Sequence, residues 1–330
     1  MKNKYFKMHS SCLPVKGINQ GCIYDLRRGS LYKVPNDILD ILENYSNKKI
    51  EVLFDDYKEQ IEIIKKYFDF FIENEVIFFT DVLKNFPEIK KTFRKPFLLD
   101  LALIEIDNYD SKKRELFDNG LISEIGCKEL ILIYKEKSAV ELREILTELD
   151  KSKIQSTICF IDYNQFDLNF FNEISYFLRL RQVHIYNSPS NNHENDSILF
   201  YSNKTLEELL NQKITSKNDF IPNLDSFLES QKFNLFYNRR VYIDNENNVK
   251  HAINEIETYG NISDSTVFDI VSLPSFKKLW NIAKDEITVC KDCEFRYICP
   301  DNRIPVFDKK TENYYHIEEC NYSPYTNQWK

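Results

Sequence analysis

The chain has 330 residues, 42% hydrophobic and 14% aromatic, enough to pack two or three cores, and its formal net charge is −8. That charge argues against a nucleic-acid surface, which needs a concentrated basic patch; the short cluster Lys90, Lys91, Arg94 and Lys95 reads as a solvated boundary. No stretch approaches the roughly 20 apolar residues of a membrane span, and the start MKNKYFKMHSSC lacks the apolar core of a signal peptide, so a cytoplasmic location with reduced thiols is expected.

Residues 1–92 open with three extended stretches, 6–13, 21–26 and 31–34, with turn signals at Gly17 and at Gly29-Ser30. Asn36 and Asp37 then offer a helix cap ahead of Ile38, Leu39, Ile41, Leu42 and Tyr45. Tyr57, Ile61, Ile64, Phe68 and Phe71 recur at helical spacing and predict a second helix, followed by a short strand at 76–79. Small strands followed by amphipathic helices suit a winged-helix-like module.

Residues 93–235 change character. Apolar, β-branched runs at 98–106, 130–134, 157–161, 183–186 and 198–201 predict strands. Between them, Leu142, Ile145, Leu146 and Leu149 line one helix face, and Phe170, Phe171, Ile174, Phe177 and Leu178 another. Continuous apolar strands alternating with helices indicate a parallel sheet covered by helices. Four or five strands are too few for a closed eight-stranded barrel, so a partial or open barrel is expected.

Residues 236–330 form the third segment. Stretches 240–243 and 249–253 flank Asp244-Asn245-Glu246-Asn247-Asn248, which reads as a hairpin loop, and short helices follow around 265–271 and 275–283. Then Cys290, Cys293, Cys299 and Cys320 stand at C-x2-C-x5-C-x20-C. A C-x2-C pair lets one tight turn aim two thiolates at one ion or cluster, and the other two close the site from a loop and a distant segment. Four soft thiolates suit an iron–sulfur cluster or structural zinc. The x5 spacing and the surrounding Phe295, Tyr297, Tyr322, Tyr325 and Trp329 favour one [4Fe–4S] cluster, with Zn²⁺ as the alternative. Cys12, Cys22, Cys127 and Cys159 make no second set and read as packed thiols.

Catalytic constellations are not evident. His9, His184, His193, His251 and His316 occur in no known catalytic spacing; His184 sits inside a predicted strand, and His316, four residues before Cys320, is a candidate supporting donor or substitute ligand. Asp100, Asp107 and Asp162 lie near strand ends. No glycine-rich phosphate loop appears, so no ATP binding is expected of this chain.

At the cysteine motif the chain resembles the SPASM domain, the C-terminal auxiliary-cluster domain of many radical SAM peptide-modifying enzymes. The run-up RRVYIDNENNVKHAI, YGNISD and FKKLWNIAKDEITVCKDCEFRYIC is similar as well. The resemblance implies an auxiliary cluster held by Cys290, Cys293, Cys299 and Cys320. It also exposes departures. Arg303 stands where that pattern has a further cysteine, and the expected cysteines near His251 and just past Gly260 are missing, so the first auxiliary cluster of that pattern is expected to be absent and the retained set is that of its second. The segment IDNYDSKKRELF after the first barrel strand has no cysteine, and no C-x3-C-x2-C occurs anywhere, so S-adenosylmethionine is expected neither to bind nor to be cleaved.

With the opening CLPVKGINQGCIYDLRRGSLYKVP, the core CKDCEFRYICPDNR and the ending CNYSPYTNQW, nearly the whole chain is similar to the SPASM-domain peptide maturases of grasp-with-spasm systems. These are encoded beside an ATP-grasp ligase and a small precursor peptide. The resemblance implies an α/β protein with an N-terminal winged-helix-like module (1–92), a degenerate radical SAM-like partial β/α barrel (93–235) and a SPASM-type iron–sulfur domain (236–330). It implies a part in maturing a graspetide, a ribosomal peptide crosslinked through side-chain ester or amide bonds. The expected partners are the precursor leader and the ATP-grasp ligase, and the expected role is that of a non-catalytic accessory. The alternatives are a redox or electron-transfer protein acting through the cluster and a zinc-stabilised peptide scaffold.

Overall fold

The computed structural model describes residues 4–107, 109–118, 125–193, 198–211 and 213–330. Its contacts form two units, each built from separated stretches. Met1–Phe93, Ile214–Leu235 and Asn281–Lys330 make the first, and Arg94–Lys213 with Phe236–Trp280 the second. The sequence suggests three consecutive segments; in the structure the C-terminal stretch returns to the N-terminal module.

The first unit begins with β1 (Tyr5–Met8), β2 (Cys12–Lys16), β3 (Gly21–Asp25), β4 (Ser30–Val34), α1 (Asn36–Tyr45), α2 (Ile50–Asp56), α3 (Ile61–Glu73) and β5 (Ile77–Thr80). The stretch 6–13, expected as one strand, is broken. The Cys12 N–H donates to the His9 carbonyl at 2.8 Å, and this turn sends β1 to pair with β5 and β2 to pair with β3, both antiparallel. Gly29, at φ +66°, makes the turn into β4. The expected Asn36 cap is absent: Pro35 occupies the N-cap, and the Asn36 amide donates to the Gly17 carbonyl instead.

Every residue of β3 is buried, because this central strand is covered on both faces. Ile23 points into a core with Phe6, Leu39, Leu42, Leu53, Phe68 and Phe71, the apolar stripes of the three helices. Cys22 and Tyr24 point the other way, into a core with Phe220, Phe227, Phe295, Ile298 and Tyr322.

The second unit carries β6 (Leu99–Ile106), α4 (Ser111–Asp118), β7 (Cys127–Tyr134), α5 (Val140–Lys151), β8 (Ser156–Asp162), α6 (Leu168–Ile174), β9 (Leu180–Tyr186), β10 (Asn192–His193), β11 (Leu199–Tyr201), α7 (Leu206–Leu210), β12 (Arg240–Ile243), β13 (Asn248–Lys250) and β14 (Gly260–Asn261). They make an open, mostly parallel nine-stranded sheet in the order β10-β11-β9-β8-β7-β6-β12-β13-β14. The run from β11 through β9, β8, β7 and β6 to β12 is parallel throughout. The five strands expected from apolar runs thus lie side by side in one sheet. The 240–250 hairpin, expected to belong to the following domain, does not: β12 pairs with β6 and extends this sheet.

Helical side chains Leu142, Ile145, Leu146, Leu149, Phe170 and Ile174 are buried as their spacing predicts, but α6 ends at Ile174, Phe171 is half-buried, and Leu178, expected on the same face, is exposed. Leu206, Leu209 and Leu210 of α7 pack onto Leu103, Ile133 and Phe160. Helices Val267–Ser272 and Pro274–Lys277 follow; the second is shorter than expected and passes into a 3₁₀ turn at Leu279–Asn281. Among the described residues, no helix is long and apolar enough to cross a membrane.

Candidate metal centre

The cysteine segment is irregular backbone fastened at several points. The Thr288 N–H donates to the Tyr314 carbonyl at 2.8 Å, tying it to the hairpin Pro305–Asp308/Asn313–His316. Val289 sits at φ +71°, a conformation that costs a β-branched residue strain of order 1–3 kcal/mol. A 3₁₀ turn, Cys290–Asp292, follows, closed by the Cys293 N–H on the Cys290 carbonyl at 3.0 Å. In this way the C-x2-C spacing becomes two neighbouring thiols.

All four thiols come together. Cys293, Cys299 and Cys320 pack against the core shared with β2, β3 and β4, and Cys290 is close enough to Cys293, Cys299 and Cys320 to interact electrostatically. Backbone N–H groups of Phe295 and Tyr322 donate to the sulfurs of Cys293 and Cys320, each at 3.4 Å. Burial favours the neutral form of three of them: Cys290 is raised, Cys293 is raised strongly with Glu294 adding to the effect, and Cys299 is pushed up to about 12. Neutral buried thiols are poor nucleophiles. As thiolates they need a cation among them, which a bound metal would supply.

The N-terminal module reaches directly into this segment. The Ile18 N–H donates to the Asp292 carbonyl at 2.8 Å, and the Tyr24 hydroxyl to the Glu294 carbonyl. Gly17 has no room for a side chain: a Cβ there would lie 2.8 Å from the Glu294 nitrogen and 2.6 Å from the Gln20 carbonyl. The Glu294 side chain is fully buried and accepts from the Tyr322 hydroxyl, with the Lys33 ammonium 3.8 Å away. Burial raises the Glu294 pKa, and Tyr322 and Lys33 oppose that.

The expected aromatic surround is partly assembled. Phe295 stacks on Phe220 at 4.9 Å and meets Tyr322 edge-on at 5.1 Å, and Trp329 lies 4.8 Å from Tyr322. Tyr297 packs on Phe227. Tyr325 does not join this core: it is 47% exposed and donates to Asp292. Phe220, from a separate stretch, carries no sequence signal tying it to the motif.

On the other side lies a charged network that sequence reasoning missed. Lys284, whose side chain is 1% exposed, donates to Asp301 Oδ2 at 2.8 Å. Arg303 grips the same carboxylate with Nε on Oδ1 at 2.9 Å and a terminal nitrogen on Oδ2 at 2.8 Å. Burial alone would raise the Asp301 pKa, but Lys284 and Arg303 hold it far below the usual carboxylate range. Burial would lower Lys284, and Asp301 raises it instead. His316 Nε2 is 3.4 Å from Asp301 Oδ2, and Nδ1 is 3.3 Å from the Ile304 carbonyl. Burial and then Lys284 push the His316 pKa down to about 4, so it is neutral at pH 7. The signal in the sequence is a Lys in an apolar stretch, NIAK, and an Asp two residues past Cys299.

Among the described residues, the one trio of candidate ligand atoms lying within 4.8 Å of one another is Cys290, Asp301 and His316. Asp301 is already committed to two cations, which repel a metal ion. The N–H donors to the sulfurs of Cys293 and Cys320 fit a group whose sulfurs carry charge. The residues present therefore fit a metal group held by four thiolates, a cluster or a zinc ion.

The other candidates have structural partners. His251 is buried between Glu255 and the Phe276 carbonyl. His184 is stacked between Phe160 and Phe200 at 4.9 and 5.0 Å. His9 packs against Phe78 with the rings tilted; the His193 side chain lies outside the described residues. Asp100 pairs with Arg239, Asp107 with Asn245, and Asp162 with Asn164 and Asn187. Cys12, Cys22, Cys127 and Cys159 are buried.

No protein-family model and no curated protein matches this chain. Two solved structures of SuiB from Streptococcus suis match over most of their length. The S-adenosylmethionine-bound crystal structure is 12% identical, with 89% of this chain and 94% of that chain covered and a TM-score of 0.32. A second SuiB structure is 9% identical, with 91% and 94% covered and a TM-score of 0.39. Both scores are too low to bear on function.

Proposed function

We propose that this chain is an accessory protein of ribosomal peptide maturation. It holds the leader of a graspetide precursor and presents the peptide to a partner ATP-grasp ligase, while Cys290, Cys293, Cys299 and Cys320 hold one [4Fe–4S] cluster. The observation that carries the reading is the shared core: β2, β3 and β4 pack on the same residues as the cysteine segment. A cluster there fastens the sheet on which a peptide would dock.

The docking mode is strand addition, in which main-chain hydrogen bonds supply affinity and side-chain pockets supply selection. Of the three extended stretches that could serve, 21–26 is excluded, because β3 is central in its sheet. The edges are β2 and β4. Arg296 donates to the Lys16 carbonyl at the end of β2, which leaves β4 as the better edge.

When bound, the cluster supplies rigidity and a store for one electron. With four thiolates it leaves no iron open to a substrate. The C-terminal ends of β6, β7 and β12 carry no thiol; buried Glu105 there accepts from the Tyr242 hydroxyl at 2.7 Å and the Lys135 ammonium at 2.9 Å. These residues bind one another.

The test is reaction of ligase and precursor with and without this protein, read by mass spectrometry. Loss of water only when both proteins are present supports the reading. Full dehydration by the ligase alone, or a different mass change caused by this protein, refutes it. Anaerobic reconstitution should give about four iron and four sulfide per chain; stoichiometric zinc without a brown chromophore would replace the cluster with the zinc scaffold.

A further inference from the structure

The charged network beside the thiols is placed asymmetrically. Lys284 acts on Cys290 and Cys299, and Arg303 on Cys290 and Cys320. Among the ion pairs of the described residues, the two cations share one carboxylate, Asp301. The Cys293 side is different: Glu294 is next to it, paired with Lys33 and Tyr322.

Burying Lys284 and Arg303 is costly, and Asp301 alone cannot balance both. A structural salt bridge would need one cation. The second is explained by a further anion, and four thiolates around a cluster make one. An oxidised [4Fe–4S] cluster with four thiolates is a dianion, and taking up one electron makes it a trianion. Fixed positive charge stabilises the trianion more than the dianion. Such charges act strongly inside a protein, where the effective dielectric is low.

We propose that Lys284 and Arg303, held in place by Asp301, are the counter-charges of the cluster at Cys290, Cys293, Cys299 and Cys320, and that they raise its reduction potential. This rests on the cluster reading above and goes beyond it, because it gives the cluster an accessible one-electron couple. Lys284 and Arg303 are positioning residues; neither is a ligand. The electron-transfer alternative thereby gains a definite physical basis.

The experiment uses the full chain, reconstituted anaerobically, as wild type and as Lys284→Met, Lys284→Arg, Arg303→Gln and Arg303→Lys. Iron and sulfide are counted, and the reduced fraction is followed by electron paramagnetic resonance during titration with dithionite, which donates the electron. Each neutral variant should lower the reduced-to-oxidised ratio at fixed potential at least tenfold, which is about 59 mV for one electron. The charge-conserving variants should stay near wild type. Loss of iron in the neutral variants alone also supports the proposal, since the counter-charge is then needed for uptake. Equal iron content and an unchanged midpoint in Arg303→Gln, the more exposed of the two positions, overturns it. So does equal loss of iron in all four variants, which marks a packing role. If wild type takes zinc and no iron, the cluster reading itself fails, and the proposal with it.

Discussion

Phe295→Ala tests whether the cysteine segment and the N-terminal sheet are one core. Phe295 is 1% exposed, stacks on Phe220 and meets Tyr322 and Trp329. Its neighbours come from three separate stretches, so collapse into the gap is constrained. Removing a buried Phe side chain costs about 3–5 kcal/mol in lost transfer and cavity formation, and the lost ring pairs, about 0.5–1.5 kcal/mol each, place this site toward the upper end. Against a typical stability of about 5–15 kcal/mol this is a large fraction. The assay is urea unfolding together with amide hydrogen exchange. β3, whose Tyr24 lies 270 residues from Glu294 in the chain yet is hydrogen-bonded to it, should lose protection along with residues 290–299. A loss below about 1 kcal/mol, or β3 protection unchanged while the cysteine segment opens, would refute the shared core.

Three further outcomes are expected. Asp301→Asn should cost about 3–5 kcal/mol, because it leaves Lys284 and Arg303 buried without their carboxylate; equilibrium unfolding with less than about 1 kcal/mol lost would contradict this. Val289→Gly should raise the melting temperature, since relief of the strain at φ +71° outweighs the roughly 0.5–1 kcal/mol entropic cost of glycine; a lower melting temperature at unchanged metal content would show the strain is not there. His184 has its pKa lowered by burial between two Phe rings, so the unfolded chain binds the proton better. Its contribution is present above the unfolded value near 6.5 and is lost as pH falls through the folded one. Stability between pH 7 and pH 5 should therefore fall less in His184→Phe than in wild type, and parallel curves would remove His184 from the account.

What the sequence determined by itself was local or periodic. The stripes Ile64, Phe68, Phe71 and Leu142, Ile145, Leu146, Leu149 are buried where 3.6-residue spacing puts them, because a helix face is set by near neighbours. The apolar runs became adjacent parallel strands for a related reason, since a strand covered on both faces must be apolar along its whole length. The C-x2-C spacing fixed one tight turn and so two adjoining thiols. Tertiary structure decided what lies beyond that reach. It placed β12 beside β6, since a hairpin's own residues do not say which sheet edge it will extend. It set Tyr24 against Glu294 and closed Gly17 against the cysteine segment, contacts between stretches that share no periodicity. It also gathered Lys284, Asp301, Arg303 and His316 beside Cys290. Spacing could name the four cysteines as candidate ligands. Only the folded chain shows which charges surround them, because burial and long-range packing set the field that those thiols feel.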